Sequence, residues 1–273
     1  MKRRYSLSFL TVADLQPPEA IRVAARTGYH EVGLRLLPAA ASGEAPYPIF
    51  NDRRVLAQAQ QAIEETGIGI ADVEIVRLKP ETEIAEFLPF LECAAALGAS
   101  KVLVAGDDTD HSRLTQTFAA FAELAGRYGM TADLEFMPWT GVRDAVEANA
   151  IVQAADQPAG GVLADALHWD RTGGRKEDLL AIPHSLIHYI QICDGPLGYD
   201  PSDSGLIRIA RGGRLMPGDG GIDLATFLRV LPKDVPISVE IASLELNRRM
   251  TADERAATAL RKAKEVVARS ETE

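Results

Sequence analysis

Short apolar runs rich in β-forming residues alternate with longer segments of helical spacing along almost the whole chain. Such alternation predicts a parallel sheet, because each helix returns the chain to the same end of the sheet. About eight such units fit into 273 residues, which favours a single-domain (β/α)8 TIM barrel spanning 1–273. A doubly wound open sheet is the alternative, but no GxGxxG motif follows the first strand. The predicted strand runs are 5–12, 31–36, 70–78, 101–107, 131–137, 160–169, 187–195 and 235–241.

Composition narrows the class of partner. The formal net charge of −10 argues against a nucleic-acid surface and a polybasic membrane patch. No apolar run approaches the roughly 18 residues of a membrane span. Cys93 and Cys193 form neither a disulfide framework nor a zinc cluster, and the N-terminus has no convincing cleavage site. We therefore expect a cytoplasmic protein with no nucleic-acid or membrane partner.

Alternation along each strand separates two sets of side chains. In a barrel the outward set packs against the helices, and the inward set fills the centre and reaches the active-site mouth. The predicted outward set is apolar: Leu7, Phe9, Val32, Leu34, Leu36, Val73, Ile75, Leu134, Phe136, Val162, Ala164, Ile190, Ile192, Ile237, Val239 and Ile241. The predicted inward set is polar: Ser6, Ser8, Arg35, Glu74, Asp133, Glu135, Asp165, Gln191, Ser238 and Glu240.

Four inward side chains from the last four strands meet near the mouth: Glu135, Asp165, Gln191 and Glu240. Three carboxylates packed together cannot all stay ionised without a counter-charge. One divalent cation would supply it, and oxygen donors suit Mg²⁺ or Mn²⁺. In the alternative, a non-catalytic barrel, the acids form salt bridges with residues such as Arg35. That alternative predicts no bound metal and little loss of stability in Glu240→Gln.

Five motifs then carry a family resemblance over nearly the whole chain. They are LEFMPW (134–139), ADALHWDRTGG (164–174), YIQICDGP (189–196), RLMPGDGGIDL (214–224) and ISVEI (237–241). The chain resembles the xylose-isomerase-like TIM-barrel superfamily of sugar isomerases and epimerases. The resemblance implies a barrel fold, one divalent metal and a small carbonyl or polyol substrate. Family members are commonly dimers or tetramers, so a homo-oligomer is also an expectation.

The resemblance also implies a ligand set. In the family a Glu, an Asp, a His and a Glu hold the metal, and these match Glu135, Asp165, Gln191 and Glu240. Gln191 therefore departs from the family His. Gln fills this position in some bacterial 3-dehydroshikimate dehydratases, a branch that the chain also resembles. Some of those enzymes place a His two residues after the first Glu, where this chain has Met137.

Substrate contacts are expected from two further motifs. The resemblance implies that His168 and the following basic residue, Arg171, contact substrate. Arg208, Arg211 and Arg214 lie in a long segment between the last two strands, where barrel loops often form lids. Their positive charge would suit an anionic group, and we expect Arg211 and Arg214 to bind it. A solvated basic patch is the alternative.

Two inward residues of the first half, Arg35 and Glu74, complete the predicted substrate site. They would hold hydroxyl groups or pair with each other. The resemblance implies that metal-bound Glu135 and Glu240 move a proton from opposite faces of the substrate, and we add His168 to the catalytic set.

Two chemical outcomes stay open. The first is a metal-dependent isomerase or epimerase of a keto sugar or related polyol. The second is a lyase that dehydrates 3-dehydroshikimate or a similar cyclic keto-acid or inosose. A related endonuclease that cuts at abasic sites would need several more His ligands, and the chain has five His in total.

Overall fold

The computed structural model describes residues 3–38 and 48–272. Eight parallel strands form a closed barrel in the order β1 to β8, which confirms the predicted TIM barrel. The strands are β1 Tyr5–Leu7, β2 Glu31–Arg35, β3 Gly69–Leu78, β4 Lys101–Gly106, β5 Thr131–Glu135, β6 Gly160–Asp165, β7 Ile190–Ile192 and β8 Ile237–Val239. No helix in the described ranges is long and apolar enough to cross a membrane.

Helices connect successive strands around the barrel. Several begin at side chains that accept hydrogen bonds from the first turn, such as Asp110, Asp144 and Thr251. The helices are α1 Pro17–Thr27, α2 Pro48–Asn51, α3 Arg53–Thr66, α4 Leu88–Ala96, α5 His111–Arg127, α6 Ala145–Ala155, α7 Ala166–Arg171, α8 Lys176–Leu180, α9 Asp203–Gly212, α10 Leu224–Val230, α11 Leu244–Arg249 and α12 Ala252–Ser270.

The apolar core lies between the sheet and these helices. Most of the predicted outward side chains belong to it and are fully buried, including Val32, Leu134, Ile190 and Val239. Inside the barrel, a second apolar cluster contains Ile75, Leu103, Ala105, Met137, Leu163 and Tyr189. One side of the barrel interior is therefore apolar, and the rest of the interior is left for polar groups.

The predicted outward position of Phe9 is wrong. The chain leaves the strand after Leu7, and Phe9–Val12 forms a 3-10 helix. The Thr11 hydroxyl donates to the Val239 carbonyl at 2.8 Å and accepts from the Ile241 amide at 2.8 Å, which ties this turn to the end of β8. Phe9 instead lies 4.5 Å from the guanidinium carbon of Arg35.

The predicted outward position of Ile75 is also wrong. The pairing of β3 with β4 shifts register between Val73 and Val76. An irregularity of this kind reverses the faces that the following residues occupy. Val76 joins the outer core, while Ile75 joins the inner cluster and Arg77 lines the interior cavity.

Most of the predicted strand runs extend beyond the strands that form, and one predicted loop contains a helix. The 160–169 run ends as a strand at Asp165, whose side chain begins α7 by accepting from the Leu167 and His168 amides. The segment after β7, predicted as a long loop, contains helix α9. Its buried Leu206, Ile209 and Ala210 have helical spacing, but glycines at both ends obscure the pattern.

A polar pair lies at the opposite end of the barrel from the strand C-termini. His188 Nδ1 lies 2.6 Å from Asp133 Oδ1, and the Thr131 hydroxyl donates to Asp133 Oδ2 at 2.7 Å. A Cβ at Gly161 would lie 2.4 Å from His188 Nδ1, so this position requires glycine. Burial lowers the pKa of His188, but the hydrogen bond and charge of Asp133 outweigh it, and the net shift is upward.

This pair predicts a pH-dependent contribution to stability. The folded-state pKa of His188 exceeds its unfolded value, so the stabilisation is complete below the unfolded pKa, about 6.5. It is lost as pH rises through the folded pKa. We expect His188→Gln to lower the free energy of unfolding by about 1–2 kcal/mol near pH 5.5 and by less at pH 8–9. Urea denaturation across this range measures the difference. Exposed His184→Gln is the control, and an equal loss at every pH would contradict the assignment.

Candidate active site

Four side chains converge at the C-terminal mouth of the barrel. Glu135 and Asp165 end β5 and β6, Gln191 lies within β7, and Glu240 directly follows β8. Each of these four residues is at most 3% exposed to solvent. In the ladder, Asp165 is paired with Gln191, and Gln191 with Ser238, two residues before Glu240. The C-terminal ends of adjacent parallel strands therefore bring the predicted ligand set together.

Arg214 lies between two of these acids. Its Nη1 donates to Asp165 Oδ2 at 2.6 Å, and its Nη2 lies 2.9 Å from Glu240 Oε2. Its Nε donates to the Ala210 carbonyl at 3.0 Å, and Nη1 also lies 3.3 Å from Cys193 Sγ. Arg214 is 2% exposed. The predicted lid residue is thus a buried cation of the acidic centre, although it also borders the cavity.

The other carboxylate oxygen of Asp165 and that of Glu240 each accept two hydrogen bonds. Asp165 Oδ1 accepts from the Leu167 and His168 amides at 2.7 and 3.1 Å. Glu240 Oε1 accepts from the Ser8 hydroxyl at 2.8 Å and from Gln191 Nε2 at 3.0 Å. These contacts fix both carboxylates so that their second oxygens point toward the centre that Arg214 reaches.

Three atoms of the centre are buried without a hydrogen-bond partner: Glu135 Oε1, Gln191 Oε1 and His168 Nδ1. His168 Nε2 lies 3.7 Å from Glu135 Oε1, beyond a hydrogen bond. Ligand atoms of Glu135, Asp165 and His168 all lie within 4.8 Å of one another. Buried polar atoms normally have hydrogen-bond partners, so these three atoms indicate that a further polar or cationic group binds here.

A divalent cation fits this donor set. Glu135 and Gln191 each offer an oxygen that has no hydrogen-bond partner. One oxygen of Asp165 and one of Glu240 already contact a cation, the Arg214 guanidinium. Oxygen ligands suit a hard cation, and the amide of Gln191 keeps the site less negative than another carboxylate would. Among the described acidic and histidine side chains, His168 rather than Glu240 forms a group with Glu135 and Asp165 whose ligand atoms lie within 4.8 Å of one another. Arg214 lies between Asp165 and Glu240. The three acids, Gln191 and His168 are the residues that would hold the metal.

Burial and mutual repulsion perturb the titration of the centre. Burial, together with the charges of Glu240 and Asp165, raises the pKa of Glu135 well above its usual range. Burial also raises the pKa of Glu240 to about 7, although Arg214 opposes the shift. Burial also favours a higher pKa for Asp165, but the charges of Arg214 and His168 outweigh burial, and the pKa of Asp165 is lowered. Burial lowers the pKa of His168 to about 4, so its imidazole is neutral at pH 7.

A cavity of about 210 Å³ opens above these residues. One wall is apolar and is formed by Leu10, Ile75, Leu103, Met137 and Trp139. Charged residues line the rest, namely Arg35, Glu74, Arg77 and Arg211, with Glu135, His168, Arg214 and Glu240 at the base. The Trp139 ring meets His168 edge-on at 5.1 Å, which orients the imidazole. The cavity matches a compact molecule with one apolar face and several polar groups.

Arg35 and Glu74 both line the cavity, as predicted from strand alternation. Arg35 Nη2 lies 3.5 Å from Glu74 Oε1, so they pair with each other while facing the cavity. Arg77 was missed because the register shift in β3 hides its inward direction. It makes two hydrogen bonds to Asp107, at 2.6 and 2.8 Å, and adds a positive group to the wall.

The two other predicted substrate arginines are placed differently. Arg211, on α9, lines the cavity, is exposed, and has no ion pair among the described residues. Arg171 does not line the cavity: it bonds to Asp170 and to the Pro196 carbonyl and stacks on Tyr199 at 3.9 Å. Its contacts are those of a residue that holds the β7–α9 loop, and they give no support to the predicted substrate contact.

Asp194 fixes the segment that carries Arg214. Its carboxylate accepts from the amides of Gly195, Gly218 and Ile222 at 2.8–3.0 Å. Its backbone also exchanges two hydrogen bonds with Leu215, at 2.9 and 2.8 Å. The PGDG motif, 217–220, is therefore a turn clamped over the end of β7, and it places Arg214 against the acids.

Comparison with known proteins supports a family assignment. A family model described as a xylose isomerase-like TIM barrel matches residues 21–266. A curated 3-dehydroshikimate dehydratase of Pseudomonas putida is 30% identical over 121 residues, which cover 44% of this chain and 18% of that protein. The chain thus spans less than a fifth of the length of this curated relative.

Solved structures share the fold over nearly the whole chain. A xylose isomerase-like TIM barrel/4-hydroxyphenylpyruvate dioxygenase fusion protein has a TM-score of 0.80 and 23% identity, covering 96% of this chain and 42% of that one. The IolI protein with a zinc atom has a TM-score of 0.81 and 19% identity, covering 98% and 99%. D-allulose 3-epimerase from Methylomonas sp., in complex with D-allulose, has a TM-score of 0.69 and 18% identity, covering 96% of each chain.

The contacts of Asp165 predict a large effect of its neutralisation. Asp165→Asn removes one partner of a fully buried ion pair and leaves Arg214 with a single carboxylate. We expect a loss of about 3 kcal/mol in the free energy of unfolding, measured by urea denaturation in EDTA. The matched control is Asp253→Asn, which breaks an exposed pair with Arg26 and should cost under about 1 kcal/mol. Equal losses in the two variants would show that the buried pair does not stabilise the fold.

Proposed function

Because the chain belongs to the family of xylose isomerase-like TIM barrels, we propose that it is a divalent-metal-dependent isomerase or epimerase. Its substrate is a keto sugar or a related polyol. The observation that carries the proposal is the convergence of Glu135, Asp165, Gln191 and Glu240 beneath a cavity that Glu135 and Glu240 line, with two of the four residues' oxygens unpartnered. Mg²⁺ or Mn²⁺ is the proposed metal, since all four donors are oxygens.

The metal supplies one kind of chemistry: it stabilises the negative charge that develops on a carbonyl oxygen when the neighbouring C–H proton is removed. The chain supplies the groups that move the proton. Glu135 ends β5 and Glu240 follows β8, so they face the cavity from different sides of the barrel. One takes the proton, and the other returns a proton to the opposite face or to the adjacent carbon.

Other side chains hold the substrate. The neutral imidazole of His168 borders the cavity and can bond to a substrate hydroxyl. Arg35 and Glu74 present a donor and an acceptor on one wall, and Arg211 can bind an anionic group at the opening. The apolar wall of Ile75, Leu103 and Met137 excludes water from the reacting carbons.

A second candidate is a lyase that dehydrates 3-dehydroshikimate or a similar cyclic keto-acid or inosose. Gln191, in the position of the family His, and the similarity to a curated 3-dehydroshikimate dehydratase favour it. Loss of a β-hydroxyl after the same proton abstraction would give this outcome. Met137, which lines the cavity where some dehydratases carry a His, weighs against it.

In D₂O, we expect the Mg²⁺-loaded protein to catalyse the incorporation of deuterium into a keto sugar, at the carbon next to its carbonyl group. Proton NMR of a panel of ketohexoses, including D-allulose, measures the incorporation. EDTA should abolish it. Glu135→Gln should slow it by at least about 100-fold, because a proton-transfer group is lost. Glu265→Gln removes an exposed carboxylate and serves as the matched control. Undiminished exchange in Glu135→Gln would contradict the proposed role.

The two candidate reactions differ in their products. With 3-dehydroshikimate, a dehydratase should produce aromatic proton signals that depend on Mg²⁺. An isomerase or epimerase should give none, while ketohexoses exchange deuterium. Aromatic signals without any exchange on the ketohexose panel would overturn the isomerase proposal in favour of the lyase.

A further inference from the structure

Arg214 and a divalent cation need the same two oxygens. Both Asp165 Oδ1 and Glu240 Oε1 already accept two hydrogen bonds, which fill the two lone-pair sites of a carboxylate oxygen. The oxygens that face the centre are Asp165 Oδ2 and Glu240 Oε2. Arg214 lies 2.6 and 2.9 Å from them. A cation held by both carboxylates would therefore coordinate the atoms to which Arg214 donates.

The two positive groups exclude each other at this distance. A metal coordinates oxygen at roughly 2.0–2.6 Å, which would put it within about 4 Å of a guanidinium bonded to the same oxygens. Like charges this close repel strongly inside a protein. The Asp165 and Glu240 carboxylates are held by Ser8, Gln191 and the α7 amides. Apart from its bonds to these two acids, the Arg214 guanidinium has one hydrogen bond to the Ala210 carbonyl and one contact with Cys193 Sγ, so it is the group that moves in the exchange.

We propose that Arg214 is a built-in counter-cation, which a divalent metal displaces from Asp165 and Glu240 when it binds. This inference rests on the proposed metal site. Metal loading is then an exchange of one cation for another rather than the filling of an empty cage. Arg214 lines the cavity beside Arg211, so the released guanidinium has space to turn toward a substrate. In the metal-free protein the same residue neutralises the Asp165 and Glu240 carboxylates.

If a metal displaces Arg214, substitution of this arginine should have two linked effects. Removing the guanidinium should strengthen metal binding, because the metal no longer competes for the two carboxylates. The same change should weaken the metal-free protein, because it leaves buried carboxylates without their cation. A residue that only supports the loop would instead lower metal affinity when it is removed. The two roles therefore change metal affinity in opposite directions.

The test uses Arg214→Met, which removes the charge but keeps an unbranched side chain. Free Mn²⁺, measured by its electron paramagnetic resonance signal during titration of the EDTA-stripped protein, gives the dissociation constant. We expect Arg214→Met to bind Mn²⁺ at least about tenfold more tightly than the unmodified chain. Its melting temperature without metal should be lower, and added Mn²⁺ should raise it by more than in the unmodified chain.

Arg211→Met is the matched control, because it removes the same charge from the same cavity without touching Asp165 or Glu240. Its Mn²⁺ affinity should stay within about twofold of that of the unmodified chain. If Arg214→Met does not fold, Arg214→Lys replaces it: an ammonium can bond to fewer acceptors, and Mn²⁺ should still bind more tightly.

Unchanged or weaker Mn²⁺ binding in the Arg214 variant, with normal binding in the unmodified chain, would overturn the exchange and leave the proposed function intact. An equal gain in Arg211→Met would also overturn it, since general charge would then explain the effect. Absence of Mn²⁺ binding in every variant would overturn the proposed metal site, and the exchange with it.

Discussion

The structure depends on neutralising several carboxylates in the mouth of a barrel. Glu135, Asp165 and Glu240 are almost completely buried, and isolated charges in such a place would destabilise the fold by several kcal/mol each. Arg214 supports two of them directly. Ser8, Gln191 and the first turn of α7 hold their remaining oxygens. A centre built in this way holds Asp165 and Glu240 in fixed positions around one buried cation.

The surrounding barrel determines the positions of the cavity, the acids and Arg214. An apolar cluster that includes Leu103, Leu163 and Tyr189 fills one side of the interior and supports one wall of the cavity. The acids approach from strand ends, where backbone position is determined by the ladder rather than by flexible loops. Asp194 extends this order to the segment that carries Arg214. Cavity, acids and counter-cation therefore form one unit.

Regular alternation made the barrel and its acidic centre predictable from sequence. The strand phase placed Glu135, Asp165, Gln191 and Glu240 correctly, because each lies near the end of a regularly paired strand. Prediction failed where the backbone leaves that regularity: Phe9 lies in a 3-10 turn, and the register shift in β3 turns Ile75 and Arg77 inward. The ion pairs of Arg214 were not predictable, because they join residues 49 and 26 positions apart through a loop that has no periodicity.

The most direct test of the acidic centre as a cation site is a crystal structure of the Mn²⁺-soaked protein, with anomalous diffraction recorded near the manganese edge. We predict one strong peak within coordination distance of Glu135, Asp165, Gln191 and Glu240, and an Arg214 side chain turned away from the carboxylates. A peak elsewhere, or Arg214 still bridging Asp165 and Glu240 in crystals saturated with Mn²⁺, would contradict this prediction.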